Sequence, residues 1–441
     1  MTKTNEATDL EGVCMYSTTI QRQQNTRTTS KLAIMIGSLF SFEMTFILYL
    51  FAGRFKADPR FSWIPVDLTA LFFGLSVLIG IWIVAKRGGV LDKKPVILVF
   101  MYALLLLYVL FSYIWSPSDA YAGEKMGYLF TLTLWALAGP TLIISQERKR
   151  MIRFFSLLFA FALWMAIEST IAFMQASGSF ITVLGGNYLG IGRVLGLASI
   201  VLFAYALFFA KGWKAKVIGY LLFFYFMFLM LNIGARGPLL AVVGSILFPL
   251  LLSWKPSIGD IRIKKHFVPI IIIILFAVMY GSYLFSTNQL PSTVSRLQVI
   301  FQSEDMGSSA GARMHYYEKA GELWGENVVF GHGVGSWPVL TTGMDERAYP
   351  HNIILELGVE LGLIGVVLFV VMVGYALRQI KTYRTLQNNA WALLLLMLLI
   401  NLLINAMISG DLNDNRYLLA FLGLFFFLNK ESASLDRKGA I

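Results

Sequence analysis

The amino-acid sequence predicts an all-α, polytopic integral membrane protein with about twelve transmembrane helices. Of its 441 residues, 57% are hydrophobic and only 14% are charged, whereas a soluble protein of this length would need far more polar surface. The apolar residues fall into runs of about 20, the length at which a helix crosses the bilayer core. The predicted spans are residues 32–52, 64–85, 95–115, 126–145, 152–174, 193–210, 215–234, 237–253, 267–286, 352–377, 390–409 and 416–429. The last of these is short for a full crossing.

The basic residues predict the side of the membrane on which each loop lies. With the N-terminus in the cytoplasm, the inner loops and their edges hold 18 of the 36 Lys and Arg residues, the two tails hold 7 and the outer side holds 11. This distribution follows the positive-inside rule. The net charge of +11 is spread between apolar runs and is not gathered on one domain, so we expect no nucleic-acid partner. The single cysteine, Cys14, excludes an internal disulfide framework.

The polar segments divide the chain into three predicted regions. Residues 1–30 are rich in Thr, Gln and Asn and are expected to form a disordered cytoplasmic tail. Residues 31–430 form the transmembrane domain, and residues 431–441 form a cytoplasmic C-terminal tail. A single long loop, residues 287–350, lies on the outer side. Loops of this length are usually functional or disordered.

The long outer loop contains a predicted amphipathic helix. In RMHYYEKAGELWGEN, the residues Met314, Tyr317, Gly321 and Trp324 recur at steps of three and four, which is typical of one helix face. We expect this helix to lie at the outer membrane surface. The glycine-rich stretch FGHGVGSWP then returns the chain toward His351.

The positive-inside tendency does not explain why three arginines lie on the outer side, because it disfavours basic residues there. Arg193 opens the sixth span, Arg236 lies in the tight turn NIGARGPL, and Arg313 precedes the amphipathic helix. Arginine suits phosphate because it is always charged and forms paired hydrogen bonds. The alternative is an interface anchor, which fits Arg236 least, since its turn is too short to reach bulk water. Three other outer arginines are interpreted as ordinary loop charges: Arg54, Arg60 and Arg347.

The stretch YPHNIILELGVELGLIG places a histidine at the start of the tenth span and carboxylates within it. Glu356 and Glu360 share a helix face with Asn352, and glycines occupy the opposite face. An intramembrane carboxylate suggests a functional site, so Glu356 is a candidate to orient His351 or to bind a substrate hydroxyl. The alternatives are a structural ion pair for the glutamates and a structural hydrogen bond for His351. The glycines that would admit a neighbouring helix are Gly358, Gly362 and Gly365.

Other polar residues carry weaker signals. His266, His315 and His332 have no metal-ligand spacing with His351, so no metal site is predicted. In the outer turn SGDLNDNR, Asp411 and Asp414 are interpreted as solvated turn residues, with a ligand contact as the alternative. Two glutamates stand alone in apolar spans and are expected to pair with tyrosines or neighbouring helices: Glu43 and Glu168.

The segments ARGPLLA, GARMHYYEKAGELWGENVVFGHGVGSWP and YPHNIILELGVELGLIG, taken in this order, resemble the O-antigen ligase and O-antigen polymerase superfamily. The detailed resemblance covers about residues 190–375, and His332 stands where the family usually has an apolar residue. It implies a glycosyltransferase-C-like protein of the bacterial inner membrane whose active site faces the periplasm. By this resemblance, Arg193, Arg236 and Arg313 would hold a pyrophosphate, and His351 would act as the general base.

The resemblance also implies the reaction. The donor would be a glycan on undecaprenyl pyrophosphate, and the acceptor would be a hydroxyl of a lipid A-core sugar or of another lipid-linked repeat. Transfer would be inverting and independent of metals and other cofactors. The chemistry is consistent, because fixed cations can meet the charge that develops on a pyrophosphate leaving group. A neutral imidazole can accept the hydroxyl proton near pH 7.

Several functions remain open from the sequence. Ligase and polymerase are not distinguished. A transporter or channel for an anionic solute would use the same arginines as a funnel, although it should also carry charges near the bilayer midplane. A non-catalytic scaffold for polysaccharide export would leave the arginines and His351 unexplained. The enzyme hypothesis predicts that the three arginines and His351 line one outward-opening cavity.

Overall fold

The computed structural model describes residues 41–175, 181–252, 308–382, 386 and 389–431. Within these residues the regular structure is helical, apart from an isolated bridge between Val183 and Gly186. Eight of the described helices are long and apolar enough to cross a membrane, which confirms an all-helical, multi-pass membrane protein. They are α2 (Leu68–Lys86), α3 (Lys93–Trp115), α4 (Ala120–Gln146), α5 (Arg148–Gln175), α6 (Tyr188–Phe209), α7 (Trp213–Ile233), α11 (Ile353–Ile380) and α12 (Ala390–Ile408).

Five further α-helices of the described residues are too short or too polar to count among these eight. They are α1 (Phe42–Phe51), α8 (Arg236–Leu252), α9 (Ser308–Glu326), α10 (Ser336–Thr342) and α13 (Arg416–Leu424). The predicted spans 32–52 and 237–253 correspond to α1 and α8. The predicted span 416–429 contains α13, whose nine residues are too few to cross a bilayer. The predicted span 267–286 and both predicted tails up to residue 30 and from residue 432 lie outside the described residues.

Helix α6 is the central helix of the bundle. It packs against α5, α7, α8 and α12, and its side chains are mostly buried. Glycines permit this close packing, since Gly192 faces Ala235 and Pro238, and Gly196 faces Val242. The first turn of α6 is capped by Asn187, whose Oδ1 accepts the backbone N–H of Gly190 at 2.7 Å. The start of α6, which is the positive end of its helix dipole, lies at the same end of the bundle as His351.

Helix α11 is interrupted at Gly362, whose φ of +63° and ψ of −162° are not helical. A broken helix survives inside a membrane only where other parts of the protein satisfy its backbone groups. The segment 328–333 does so with hydrogen bonds of 2.8 Å. They run from His332 N–H to Val359 O, from Gly333 N–H to Glu360 O, and from Leu363 N–H to Val328 O. The long loop is thereby joined to α11 through the main chain.

Helix α9 lies on α11, not alone at a membrane surface. The Trp324 ring contacts the backbone at Gly358, where a side chain would collide with it. Ala320 and Leu323 are buried together with Val359, whereas Met314 is 43% exposed. Of the four residues of the predicted helix face, Trp324 packs on α11 and Tyr317 is half-buried, whereas Met314 and Gly321 are exposed, so the predicted face is wrong in part. Insertion of Trp324 over the glycine sets the rotation of α9, and the predicted role of Gly358 in close approach is confirmed.

We predict that Gly362→Ala destabilises the protein by at least about 1–3 kcal/mol. The backbone conformation at this position is nearly restricted to glycine, and an added methyl group would collide with the carbonyl oxygen of Val329. Thermal unfolding in detergent micelles measures the effect. The control is Gly374→Ala in the same helix, where no atom lies near the added methyl group. Equal melting temperatures for the two variants would contradict the structural role of the break.

Candidate active site

Three arginines from separate parts of the chain line one cavity at the end of the bundle that carries His351, which we call the His351 end. The cavity is small, with a volume of about 20 Å³. Arg193 of α6, Arg236 at the start of α8 and Arg313 of α9 lie in its wall, with Ser409 after α12. The three arginines that the sequence singled out therefore converge in space.

Arg193 is held by neutral acceptors. Its side chain is buried, and Nη2 donates to the carbonyl oxygens of Ser409 at 2.7 Å and Asn405 at 3.4 Å. These carbonyls belong to the end of α12, where the helix dipole is negative. They orient the guanidinium without cancelling its formal charge, so the positive charge is retained at the cavity wall.

Arg236 and Arg313 reach the cavity from two helix starts. Helix α7 ends at Gly234, which has a φ of +87° and provides the left-handed turn that favours glycine. Helix α8 begins two residues later at Arg236, so the predicted tight turn is confirmed. Arg313 lies in the second turn of α9 and is half-buried. The docking of α9 on α11 therefore determines where the third arginine lies.

His351 adopts a left-handed backbone conformation with a φ of +60°, directly before Asn352, whose side chain caps α11. Such strain in a non-glycine residue is characteristic of functional sites. The imidazole lies between two rings, with centroid distances of 4.6 Å to Tyr349 and 6.0 Å to Tyr316. Its Nδ1 atom is buried and has no hydrogen-bond partner among the described residues. The ring is held by packing on these two tyrosines, and no hydrogen bond from the described residues occupies Nδ1.

The surroundings keep His351 neutral. Burial, reinforced by the positive charges of Arg313 and Arg193 and opposed by Asp414, lowers the pKa of His351 to about 4. The imidazole can therefore accept a proton at pH 7. The prediction that His351 lines the same cavity as the three arginines is wrong, because His351 is not among the described residues of the cavity wall. Its imidazole lies within electrostatic range of Arg313 and Arg193, two of the arginines of that wall.

Glu356 and Glu360 share one buried lysine. Lys125 Nζ of α4 lies 2.5 Å from Glu356 Oε1 and 2.7 Å from Glu360 Oε2, and all three side chains are at most 4% exposed. Glu356 Oε1 also accepts the backbone N–H of Leu412 at 3.2 Å. We call Lys125, Glu356 and Glu360 the buried ion cluster. These contacts favour a structural pair for Glu356, and its predicted binding of a substrate hydroxyl stays a prediction.

Sequence reasoning missed Lys125, which it grouped with the outer loop charges. The predicted span began at residue 126, whereas α4 begins at Ala120 and places Lys125 inside a transmembrane helix. The only feature of the sequence that could have indicated a buried lysine was its position at the edge of an apolar run. Its partners are more than 230 residues away in the sequence, and local patterns do not reveal pairings at that distance.

Asp411 and Asp414 bind Arg347. Its Nη2 lies 2.8 Å from Asp411 Oδ2 and 2.9 Å from Asp414 Oδ2, and its guanidinium lies 5.5 Å from the centroid of the Tyr349 ring. Asp411 is buried, so its interpretation as a solvated turn residue is wrong. Arg347 is not an ordinary loop charge either, because it ties the segment before His351 to the turn after α12.

Arg54 also lies at the His351 end. Its guanidinium contacts the backbone at Gly190 in the first turn of α6 and lies 5.8 Å from the centroid of the Tyr417 ring. The interpretation of Arg54 as an ordinary loop charge is wrong, because the short helical turn Ala52–Arg54 folds the side chain inward. An arginine soon after an apolar run gave no sequence signal for this placement.

The two isolated intramembrane glutamates are paired with arginines. Glu43 lies 2.8 Å from Arg150 and 3.1 Å from Arg153. Glu168 lies 2.8 Å from Arg60 and accepts the Trp164 indole N–H at 3.1 Å. The expectation that they pair with neighbouring groups is confirmed, with arginine as the principal partner. The described residues hold no group of three or more His, Cys, Asp or Glu side chains placed to bind a metal ion.

This geometry combines three chemical capabilities at one end of the bundle. The arginine cavity can bind an oxyanion, His351 can accept a proton, and the ion pairs of Arg347 and Lys125 fix the segments that carry them. A family model described as O-antigen ligase matches residues 220–370, which include Arg236, Arg313 and His351. No curated protein matches the chain. The family match confirms that this chain resembles the O-antigen ligase and polymerase superfamily.

Proposed function

We propose that this protein transfers a glycan from undecaprenyl pyrophosphate to an acceptor hydroxyl at the periplasmic face of the inner membrane. The acceptor is a sugar of lipid A-core, as in a ligase, or another lipid-linked repeat, as in a polymerase. The reaction inverts the anomeric centre and uses no metal. The observation that carries this proposal is the convergence of Arg193, Arg236 and Arg313 on one cavity beside a neutral His351.

In this proposal the arginines bind the pyrophosphate of the donor. As the bond between the anomeric carbon and the phosphate oxygen breaks, negative charge grows on the leaving group. Cations fixed by the backbone stabilise that charge without reorganising during the reaction. Arg193 is suited to this role because its acceptors are carbonyl oxygens, which leave its charge uncancelled.

His351 acts as the general base. The acceptor hydroxyl attacks the anomeric carbon from the face opposite the pyrophosphate, and its proton passes to the imidazole. Bound pyrophosphate would offset the positive charges of Arg313 and Arg193, two of the causes of the low pKa of His351. The pKa of His351 would therefore rise when the donor is bound, closer to the range where general bases are most effective.

Glu356 serves the site indirectly in this proposal. Its contacts with Lys125 and with the N–H of Leu412 connect the start of α11 to the turn that holds Arg347. Arg347 in turn lies over Tyr349, which contacts the imidazole. Glu356 would therefore position His351 through this chain of contacts.

The anion-transporter alternative receives less support. It would use unpaired intramembrane charges along a path, but Glu43 and Glu168 are each ion-paired with arginine. The buried ion cluster lies close to the His351 end, within the first turns of α4 and α11, and not near the middle of those helices. These buried charges are paired or lie near one end of the bundle, which fits an enzyme with its site at that end better than an anion transporter.

The first test uses purified protein in detergent with an undecaprenyl-pyrophosphate glycan and EDTA. Lipid A-core or a second lipid-linked repeat is offered as acceptor, and transfer is followed by gel mobility. We expect transfer to one of the two acceptors, and His351→Ala should lower the rate by about 10²–10⁴-fold with donor binding retained. The matched control is His315→Ala, an exposed imidazole of α9, which should retain activity.

The outcomes separate the alternatives. Transfer to lipid A-core identifies a ligase, and growth on the second repeat identifies a polymerase. Absence of transfer to both acceptors by a folded, donor-binding protein would contradict the proposed function. Full activity of His351→Ala would contradict the assignment of the base.

A second prediction concerns the pH dependence of kcat/KM, which reports ionisations of the free enzyme. The reaction needs neutral His351, so activity falls as the pH drops through its pKa. With a pKa of about 4, the acid limb should lie near pH 4 and not near pH 6.5. Arg313→Gln removes a positive charge, so it should raise the pKa of His351 and move the acid limb to higher pH.

The control for the pH profile is Lys319→Gln. Lys319 belongs to the same helix as Arg313 but pairs with Glu322 on the exposed face, and its removal should leave the acid limb in place. A wild-type limb near pH 6.5, or a limb that Arg313→Gln does not shift, would refute the electrostatic coupling between His351 and the arginine cavity.

A further inference from the structure

The side chain of Arg54 packs against α6 at a glycine, Gly190. Its guanidinium lies directly against the backbone of α6 at Gly190, and any side chain at residue 190 would overlap the guanidinium atoms. Gly190 is one turn before Arg193 on the same helix. The glycine therefore allows a second cation to approach the first turn of α6 beside the arginine cavity.

The charge of Arg54 is not neutralised by a nearby acid. Among the described residues no carboxylate oxygen lies within 4.0 Å of its guanidinium, and its Nε atom is buried without a hydrogen-bond partner. Its principal contact is Tyr417, a neutral ring at 5.8 Å. Arg60, six residues later, has the opposite surroundings, with ion pairs to Asp58 and Glu168.

The electrostatic surroundings keep Arg54 charged. Burial opposes the charge, but Tyr417 and Asp414 outweigh burial and raise the pKa of Arg54 above its usual value. Asp414 is already bound to Arg347 at 2.9 Å, so it is shared and does not cancel Arg54. The pKa of His351 responds to the same Asp414. Arg54 and His351 therefore face one shared group of charges.

Arg54 also lies within electrostatic range of Arg193. Two like charges repel, and the N-terminus of α6 adds the positive end of a helix dipole. A partly buried site of this kind is unfavourable when empty and becomes favourable when an anion binds between the cations. The arrangement is that of a binding site for an oxyanion.

We propose that Arg54 is a fourth cation of the site, and that with Arg193 it binds an oxyanion of the glycan donor. This inference rests on the proposed function and extends it. The oxyanion is a phosphate of the donor pyrophosphate or a carboxylate of an acidic sugar in the glycan. Arg54 precedes the residues matched by the family model, so the proposal adds to the site the short helical turn Ala52–Arg54 that follows α1.

The test measures dissociation constants with the full chain in lipid nanodiscs. The probes are inorganic pyrophosphate, an undecaprenyl-pyrophosphate donor with a neutral glycan, and the same donor with an acidic glycan. Arg54→Met should weaken binding by about 10- to 100-fold, the usual effect of losing a hydrogen bond to a charged group. Arg54→Lys keeps the charge and should weaken binding less.

A second variant tests the position of the guanidinium without removing it. Gly190→Ala adds a methyl group where the Arg54 guanidinium lies and should displace that flexible side chain. It should weaken binding in the same direction as Arg54→Met, while keeping helix propensity. The control is Arg60→Met, which removes an arginine with its own acidic partners and should leave the dissociation constants unchanged.

Each outcome decides one point. Weaker binding of all three probes by Arg54→Met assigns the oxyanion to phosphate, and weaker binding of the acidic-glycan donor alone assigns it to a sugar carboxylate. Unchanged binding in both Arg54→Met and Gly190→Ala would overturn the role of Arg54 but would leave the proposed function intact. If the wild type binds none of the probes, the proposed function itself fails, and the role of Arg54 fails with it.

Discussion

Lys125 neutralises carboxylates that α11 could not otherwise hold inside the membrane, and much of the His351 end depends on this interaction. A buried charge without a partner costs several kcal/mol, and breaking a buried ion pair costs about 3–5 kcal/mol. One ammonium serves both Glu356 and Glu360, while the N–H of Leu412 adds a donor. The buried ion cluster thereby joins α4, α11 and the turn after α12. These are the elements that fix the start of α11, where His351 lies.

At the His351 end, the three arginines of the cavity place positive charge near the imidazole of His351. Arg193 is held by carbonyl oxygens, which do not cancel its formal charge, while Arg236 and Arg313 reach the cavity from the first turns of α8 and α9. Burial lowers the pKa of His351, and the positive charges of Arg313 and Arg193 lower it further. An anion that enters the cavity would stabilise the arginines and raise the basicity of the imidazole together. Donor binding and activation of the acceptor are therefore two consequences of one electrostatic arrangement.

The sequence predicted features that arise from local patterns. Apolar runs located the eight helices that are long enough to cross a membrane, the short stretch NIGARGPL between two such runs predicted the tight turn at Arg236, and the positive-inside tendency marked the arginines that converge. Features that depend on distant partners were missed. Lys125 lies more than 230 residues from its glutamates, and Arg54 lies at the end of a short helical turn whose inward direction depends on Gly190. The rotation of α9 was also missed, because the fit of Trp324 over Gly358 determines it.

The central claim is that the arginines and His351 form one electrostatic unit that an oxyanion completes. The most direct test is the titration of His351 by NMR of histidine-labelled protein, with and without inorganic pyrophosphate, using His351→Gln to assign its signal. We predict that the pKa of His351 is about 4 in the free protein and rises clearly when pyrophosphate saturates the site. A pKa near the ordinary value of about 6.5 that does not change with pyrophosphate would contradict it.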